Sequence, residues 1–332
     1  MKDITHEVKI ASLGVYLPPT VVSSVELDRQ WGLREGTILR LTGVAERRYE
    51  RSQTSAGMAA KAARAAIDKA DMTIADIDAI IGGSAVPQQA IPCMSALLQR
   101  ELGEVEGSLC FDVNATCLGF LIALRLASLM IRAGQCKHAL VYSSEKTSLS
   151  LNPKEWESAG LFGDAAVAAV VIRTPPGEPS RIGACRFQTH SSGAHLTELL
   201  GGGTLRHPND PATRPEDNLF HMDGPGIFRL ATKHFGHFLE AFLSDAAHER
   251  SDYEAVVPHQ ASRRGLSTLT SFYGFSDSQI VSNLHTRGNC IAASIPLALA
   301  EAVEAGRIRR GHRVLLLGTA AGLTLGALEL VF

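Results

Sequence analysis

One pattern occurs twice in this chain and limits what it can fold into. The first copy runs Phe111-Asp112-Val113-Asn114-Ala115-Thr116-Cys117-Leu118-Gly119, then a long apolar helix pattern, Ala133-Gly134, a basic residue and a β-rich run at 139–142. The second begins at 281–285 and continues through Gly288-Asn289-Cys290, a long Ala/Leu helix pattern, Ala305-Gly306, a basic stretch and a β-rich run at 314–317. Each reads as strand, tight turn, helix, Ala-Gly stop and strand, with Gly supplying the left-handed residue after the helix. Two occurrences make a duplication, not a solenoid. At 332 residues the chain can bury a large core, in one domain or in two of ordinary size.

Further strands are predicted at 8–13, 79–82, 110–113, 139–143, 166–172, 255–258 and 314–317. Helices are predicted at 56–70, 92–102, 118–133, 226–247, 264–273 and 292–305. Strands alternating with helices predict an α/β protein with a mostly parallel sheet. The helix after Cys117 is apolar almost all round, from Leu118 and Phe120 to Met130 and Ile131, so it must be buried on several sides and belongs between sheets. Residues 191–218, with Gly201-Gly202-Gly203, Pro208, Pro211 and Pro215, read as a long irregular loop of the kind that borders binding sites.

Composition removes several classes of function. With 45% hydrophobic and 20% charged residues the chain is not globally disordered. A formal net charge of −2 gives no overall attraction to nucleic acid or to an anionic membrane. The longest apolar stretch, 118–131, is interrupted by Arg125 and is too short to span a bilayer. The first nine residues are polar and charged, unlike a secretory leader. Cys93, Cys110, Cys117, Cys136, Cys185 and Cys290 are scattered without a C-x-x-C pair, which suggests neither a zinc site nor a disulfide framework. They read as reduced thiols in the cytoplasm, most of them small buried apolar residues.

Three residues carry candidate chemistry. Cys117 sits where a strand ends and the buried helix begins, and unpaired amides with a positive dipole end there favour a reactive thiolate. His259, in Pro258-His259-Gln260-Ala261-Ser262, follows a β run at its carboxyl end, the edge where open α/β sheets bind ligands. A surface or capping role is the alternative for that histidine. Asn289 alone reads as a helix cap. The duplication places it on the second turn where Cys117 occupies the first, so approximate twofold symmetry would bring the two together. The run Gly318 to Gly326 is either an ordinary glycine turn or a source of backbone amides for an oxyanion.

With those residues in hand, the chain resembles a ketoacyl-ACP synthase III-type member of the thiolase superfamily. The likeness runs nearly end to end, through Leu13-Gly14-Val15-Tyr16-Leu17-Pro18, Thr42-Gly43-Val44-Ala45-Glu46-Arg47, the Cys117 segment, Leu161-Phe162-Gly163-Asp164-Ala165, Met222-Asp223-Gly224, Pro258-His259-Gln260-Ala261 and Gly288 to Ala298. It implies a homodimer of thiolase-like five-layer αβαβα subunits. The N-terminal half, 1–173, would carry the nucleophilic Cys and the C-terminal half, 174–332, the His and Asn. It implies a Cys117-His259-Asn289 triad and an oxyanion hole from the amides of Cys117 and Ala321. The implied reaction is acylation of Cys117 followed by decarboxylative Claisen condensation with a malonyl thioester. Acyl-CoA or acyl-carrier protein would be the substrate, with no bound cofactor or metal.

Departures from the family pattern gather at the thioester handle. Thr37 and Leu41 stand where a Trp and an Arg are common, Trp156 where an Arg is usual, and Ser262 where an Asn is usual. Ala320-Ala321-Gly322 replaces three glycines, and Arg264 is retained for an acidic carrier. Ile91 falls where the family often places a pocket-wall aromatic contributed across the dimer, so a different acyl group can fit. These changes point to a specialised lipid or secondary-metabolite pathway. Two alternatives stay open: a Cys-His acyltransferase that passes the acyl group to an alcohol or amine, and a non-catalytic subunit that binds a carrier protein.

Overall fold

The computed structural model describes residues 7–103 and 107–332. Nine strands build two main sheets: β1 (Val8–Tyr16), β2 (Ala79–Gly82), β3 (Leu109–Asp112), β4 (His138–Glu145), β5 (Ala165–Arg173), β6 (Arg181–Thr189), β7 (Ala255–Pro258), β8 (Arg313–Ala320) and β9 (Thr324–Val331). Six helices pack on them: α1 (Ser55–Lys69), α2 (Met94–Leu102), α3 (Gly119–Arg132), α4 (Gly224–Ala246), α5 (Arg263–Ser271) and α6 (Ser294–Glu304). Apart from the strand that opens the second copy, every predicted strand and helix lies on one of these. β6 and β9 escaped the sequence reading, because β6 is interrupted by polar residues and β9 begins inside the run taken as a glycine turn.

The two sheets repeat one topology. The first has the order β1-β5-β4-β2-β3, antiparallel at β1/β5 and β5/β4 and parallel at β4/β2 and β2/β3. The second has the order β6-β9-β8-β7, antiparallel at β6/β9 and β9/β8 and parallel at β8/β7. A single parallel bridge from Val256 to Ile280 stands where the first sheet has β3. The sheets are therefore mixed, which corrects the mostly parallel expectation. The β4/β5 and β8/β9 pairs run antiparallel, a pairing that strand–helix alternation does not reveal. The predicted strand at 281–285 is also corrected: Leu284–Arg287 is a helical turn.

The core shows why five layers form. Met58, Ala62 and Ala66 of α1 and Leu98 of α2 cover one face of the first sheet, against Ile80, Leu140 and Ala168. The other face, with Ile81, Val141 and Val171, meets α3 and α6, whose far sides meet Val257, Leu316 and Leu330 of the second sheet. Phe238 and Phe242 of α4 and Leu269 of α5 cover the outer face of that sheet. The order is helices, sheet, helices, sheet, helices. Both central helices touch sheet on two sides, as the unbroken apolar surface of α3 requires. Gly134 and Gly306 take positive φ after these helices, +72° and +71°.

Candidate active site

The first turn of the duplication is Thr116–Leu118 and the second is Ile291–Ala293, both single turns of 3-10 helix leading into the central helices. They pack against each other, and the first also packs against β8. Their register differs from the sequence expectation. Thr116 and Ile291 are the matching residues, each a non-glycine at positive φ, +46° and +47°. The Thr116 amide donates to Asn114 Oδ1 at 3.1 Å, and the Ile291 amide donates to Asn289 Oδ1 at 2.8 Å. Asn289 thus corresponds to Asn114, and the counterpart of Cys117 is Ala292. Spacing along the sequence hid this because the preceding strand and turn differ in length between the copies.

Cys117 remains partly accessible, but its sulfur lies in dry surroundings. Burial pushes its thiol up to about 12, and the nearby Glu145 carboxyl acts in the same direction. The nearby amides of Ala321 and of Cys117 itself pull the other way without prevailing. This corrects the expectation of a resting thiolate: desolvation outweighs the helix start. The same finding sets the amides of Ala321 and Cys117 together at the sulfur. Ala321 follows β8 in the hairpin to β9, and mutual backbone bonds between His190 and Leu323 (2.7 and 3.0 Å) hold the far side of that hairpin.

His259 follows β7, and its amide donates to Leu317 O on β8 at 2.7 Å. The side chain is buried, its Nδ1 has no hydrogen-bond partner, and burial lowers its pKa to about 4. The imidazole is therefore neutral at pH 7 and carries one N–H. Gly318 makes this approach possible. A Cβ there would lie 2.8 Å from His259 Cβ and 3.3 Å from Leu118 Cδ2, so β8 passes between the histidine and the Cys117 turn only as glycine. Asn289 is buried and held by its backbone: its amide donates to Leu161 O at 2.8 Å and its carbonyl accepts from Gly163 at 3.0 Å. The elements bearing all three candidate residues are thus packed together.

A cavity of about 560 Å³ runs from the surface to His259 and Gly318, a volume suited to a small-molecule site. Its walls include Leu41, Leu161, Met222, Phe228 and Leu266, and its charged residues are Glu157, Arg263 and Arg264. Arg264 is exposed, with its guanidinium 4.1 Å from the centre of the Phe228 ring. Ser262 lines the cavity too, but its hydroxyl already accepts from the Gly265 amide at 3.0 Å as the cap of α5. Trp156 does not line the cavity, although its neighbour Glu157 does. Ile91 is 85% exposed, on the connection between β2 and α2, and also lies outside the cavity of its own chain.

Known proteins agree over the whole chain. A family profile described as 3-Oxoacyl-[acyl-carrier-protein (ACP)] synthase III matches residues 111–193, and its C-terminal counterpart matches residues 243–332. The beta-ketoacyl-[acyl-carrier-protein] synthase III of Acidiphilium cryptum is 36% identical over 324 residues, covering 96% of this chain and 97% of that one. The chain belongs to the 3-oxoacyl-[acyl-carrier-protein] synthase III family. Synthase III 3 of Streptomyces coelicolor is 34% identical, covering 99% and 98% of the two chains. The crystal structure of the Aquifex aeolicus synthase III superposes with a TM-score of 0.88 at 30% identity, covering 98% of this chain and 100% of that one.

As a synthase III-family member the protein is an enzyme, a condensing acyltransferase on the thiolase fold. Among the described residues no helix is long and apolar enough to cross a membrane. Sequence reasoning missed Glu145, Glu157 and Phe228. Glu145 left one signal: it is an acid at the end of a strand whose centre, 139–142, is apolar or aromatic, and such an acid is rarely buried without partners. Its carboxylate accepts from the Ala85 amide at 2.7 Å and also from Val86 and Ala292, so it ties the β2–α2 connection to the second turn. Phe228 is one apolar residue among many on α4 and left none.

Proposed function

We propose that this synthase III-family enzyme acylates Cys117 and then condenses the acyl group with a malonyl thioester. The Cys117 sulfur attacks the carbonyl carbon of an acyl thioester on CoA or on acyl carrier protein. The amides of Cys117 and Ala321 hold the tetrahedral oxyanion. The carbon–sulfur bond to the donor breaks, and the departing thiol takes up the proton that Cys117 loses.

A malonyl thioester then enters. Its bond to the carboxylate breaks, CO2 leaves, and the electron pair moves onto the thioester as an enolate. The N–H of neutral His259 and the Nδ2 of Asn289 donate to the enolate oxygen. The carbon attacks the acyl group on Cys117, the two amides hold the second oxyanion, and collapse breaks the carbon–sulfur bond to release a β-ketoacyl thioester and the Cys117 thiolate, which takes a proton from water. No bound cofactor or metal is needed for these steps. The reading extends to a homodimer in which Ile91 reaches the acyl pocket of the partner subunit, and to Arg264 at the cavity mouth as a contact for an acidic carrier. Ser262 would line the approach of the thioester arm, and Trp156, outside the cavity wall but half-exposed beside Glu157, would meet the arm only beyond the cavity. The nucleophile belongs to a half spanning 1–173, and His259 and Asn289 to a half spanning 174–332.

The observation that carries this reading is the packing of the Cys117 turn against both the Ile291–Ala293 turn and β8, the strand that Gly318 brings against His259. Intact-protein mass spectrometry with a panel of acyl-CoA and acyl-carrier donors tests it. One acyl mass should appear on the protein and be lost in Cys117→Ala, and malonyl-carrier should then release CO2 and a ketoacyl product. Acylation without CO2 or ketoacyl product would leave acyl transfer to an alcohol or amine instead.

A further inference from the structure

Asn289 is useful as a donor only if its carboxamide faces one way. The Ile291 amide, which can only donate, meets the carboxamide oxygen at 2.8 Å and so fixes which end is oxygen. A second group reinforces that choice. Ser294, the first residue of α6, is buried; its hydroxyl accepts from the Cys290 amide at 2.9 Å and lies 3.2 Å from Asn289 Oδ1. Because one side of the hydroxyl is occupied as an acceptor, its proton is free for Asn289 Oδ1. The carboxamide oxygen then holds two donors, which leaves Nδ2 as the end available to a ligand.

The first turn lacks this device. Position 119 matches Ser294 and is Gly, where a Cβ would lie 2.2 Å from Gly83 O. Asn114 receives only the local Thr116 amide among the described residues, and it is exposed. The hydroxyl is therefore particular to the second turn.

We infer that Ser294 is a positioning residue for the enolate-forming step, locking the Asn289 carboxamide with Nδ2 toward the malonyl thioester. This rests on the proposed condensation. It predicts an effect on one half-reaction and not the other, because Cys117 acylation needs the amides of Cys117 and Ala321 but not Asn289.

The test uses the full chain with Ser294→Ala and with Ser294→Gly, the second reproducing the residue of the first copy. Three quantities are measured: acyl mass added to Cys117 per unit time, CO2 released from malonyl-carrier, and CO2 released when each substitution is combined with Asn289→Ala. The expected result is wild-type acylation and a CO2 rate lowered roughly tenfold, the scale of one hydrogen bond. No further loss should appear in the Asn289→Ala background, as for residues acting through one group. The proposal is overturned if both Ser294 variants release CO2 at the wild-type rate. It is also overturned if acylation falls in parallel, or if the full loss persists without Asn289. Failure of the condensation reading looks different: wild-type enzyme gives no CO2, or Asn289→Ala leaves CO2 release intact.

Discussion

The turns at 114–119 and 289–294 share a backbone and differ in what they hold. Each places an asparagine oxygen on the amide two residues later, forces a non-glycine to positive φ, and opens a central helix. Strained residues of this kind each cost roughly 1–3 kcal/mol and gather at functional sites. At the next position the first turn has Cys117, with two amides at its sulfur, and the second has Ala292, fully buried, with its amide directed to Glu145. The asparagines are the reverse case: Asn114 is exposed and Asn289 is buried beside Phe162. On the proposed mechanism, one scaffold thus supplies a nucleophile from one copy and a hydrogen-bond donor from the other. Duplication of the backbone does not require duplication of the chemistry.

The sharpest way to break this comparison is to move the thiol. Cys117→Ala should abolish the acyl mass adduct, and adding Ala292→Cys should not restore it, because position 292 is fully buried whereas Cys117 is partly accessible. An adduct on position 292 would show that the two turns are chemically equivalent. Next in size is the asparagine pair. Asn289→Ala should slow CO2 release roughly 10²–10³-fold, the loss of one donor to a developing oxyanion, while Asn114→Ala stays near wild type. Equal effects would mean that both asparagines act only on the backbone.

Position 119/294 sharpens the comparison in stability. Gly119→Ala sets a Cβ against the Gly83 backbone and should cost about 1–3 kcal/mol by denaturant unfolding, more than Ser294→Ala at the matching position. The smallest effects are in pH. The unfolded chain binds a proton at His259 below about 6.5, whereas the native state does so only below about 4, so this residue makes stability rise with pH across that window. CO2 release should accordingly show no acid limb from His259 between pH 5 and 7. Glu145, on the second turn's amide, is the opposite case. Burial raises it from 4.5 to about 8, so the native state keeps its proton longer, and stability contributed here is lost as pH rises through that range. Between about pH 5 and 6.5 the two contributions oppose each other, so Glu145→Gln should steepen the rise of the thermal midpoint with pH there and remove the fall that wild type shows between about pH 6.5 and 8.

Much of this molecule was legible in one dimension. The apolar surface of α3 required burial on two sides, the Ala-Gly stops marked the ends of α3 and α6, and the repeated turn announced two similar units. Cys117, His259, Asn289 and Ala321 could be put forward together because runs such as Pro258-His259-Gln260-Ala261 resemble those of a known family; alone, Asn289 reads as a helix cap. What the sequence could not determine depends on distance between strands. The mixed sheets follow from β9 folding back on β8, a choice made by packing against α4. The true register of the two turns depended on backbone geometry, not on residue spacing. The resting state of Cys117 was misjudged because a helix start is visible in sequence, whereas the desolvation that overrides it comes from neighbours far along the chain. Likewise, nothing near Ser294 in the sequence tells which face of the Asn289 carboxamide its hydroxyl will meet. The local pattern determined which residues to propose for the site; only the tertiary structure decided their protonation and orientation, because both are set by what lies a few ångströms away in space.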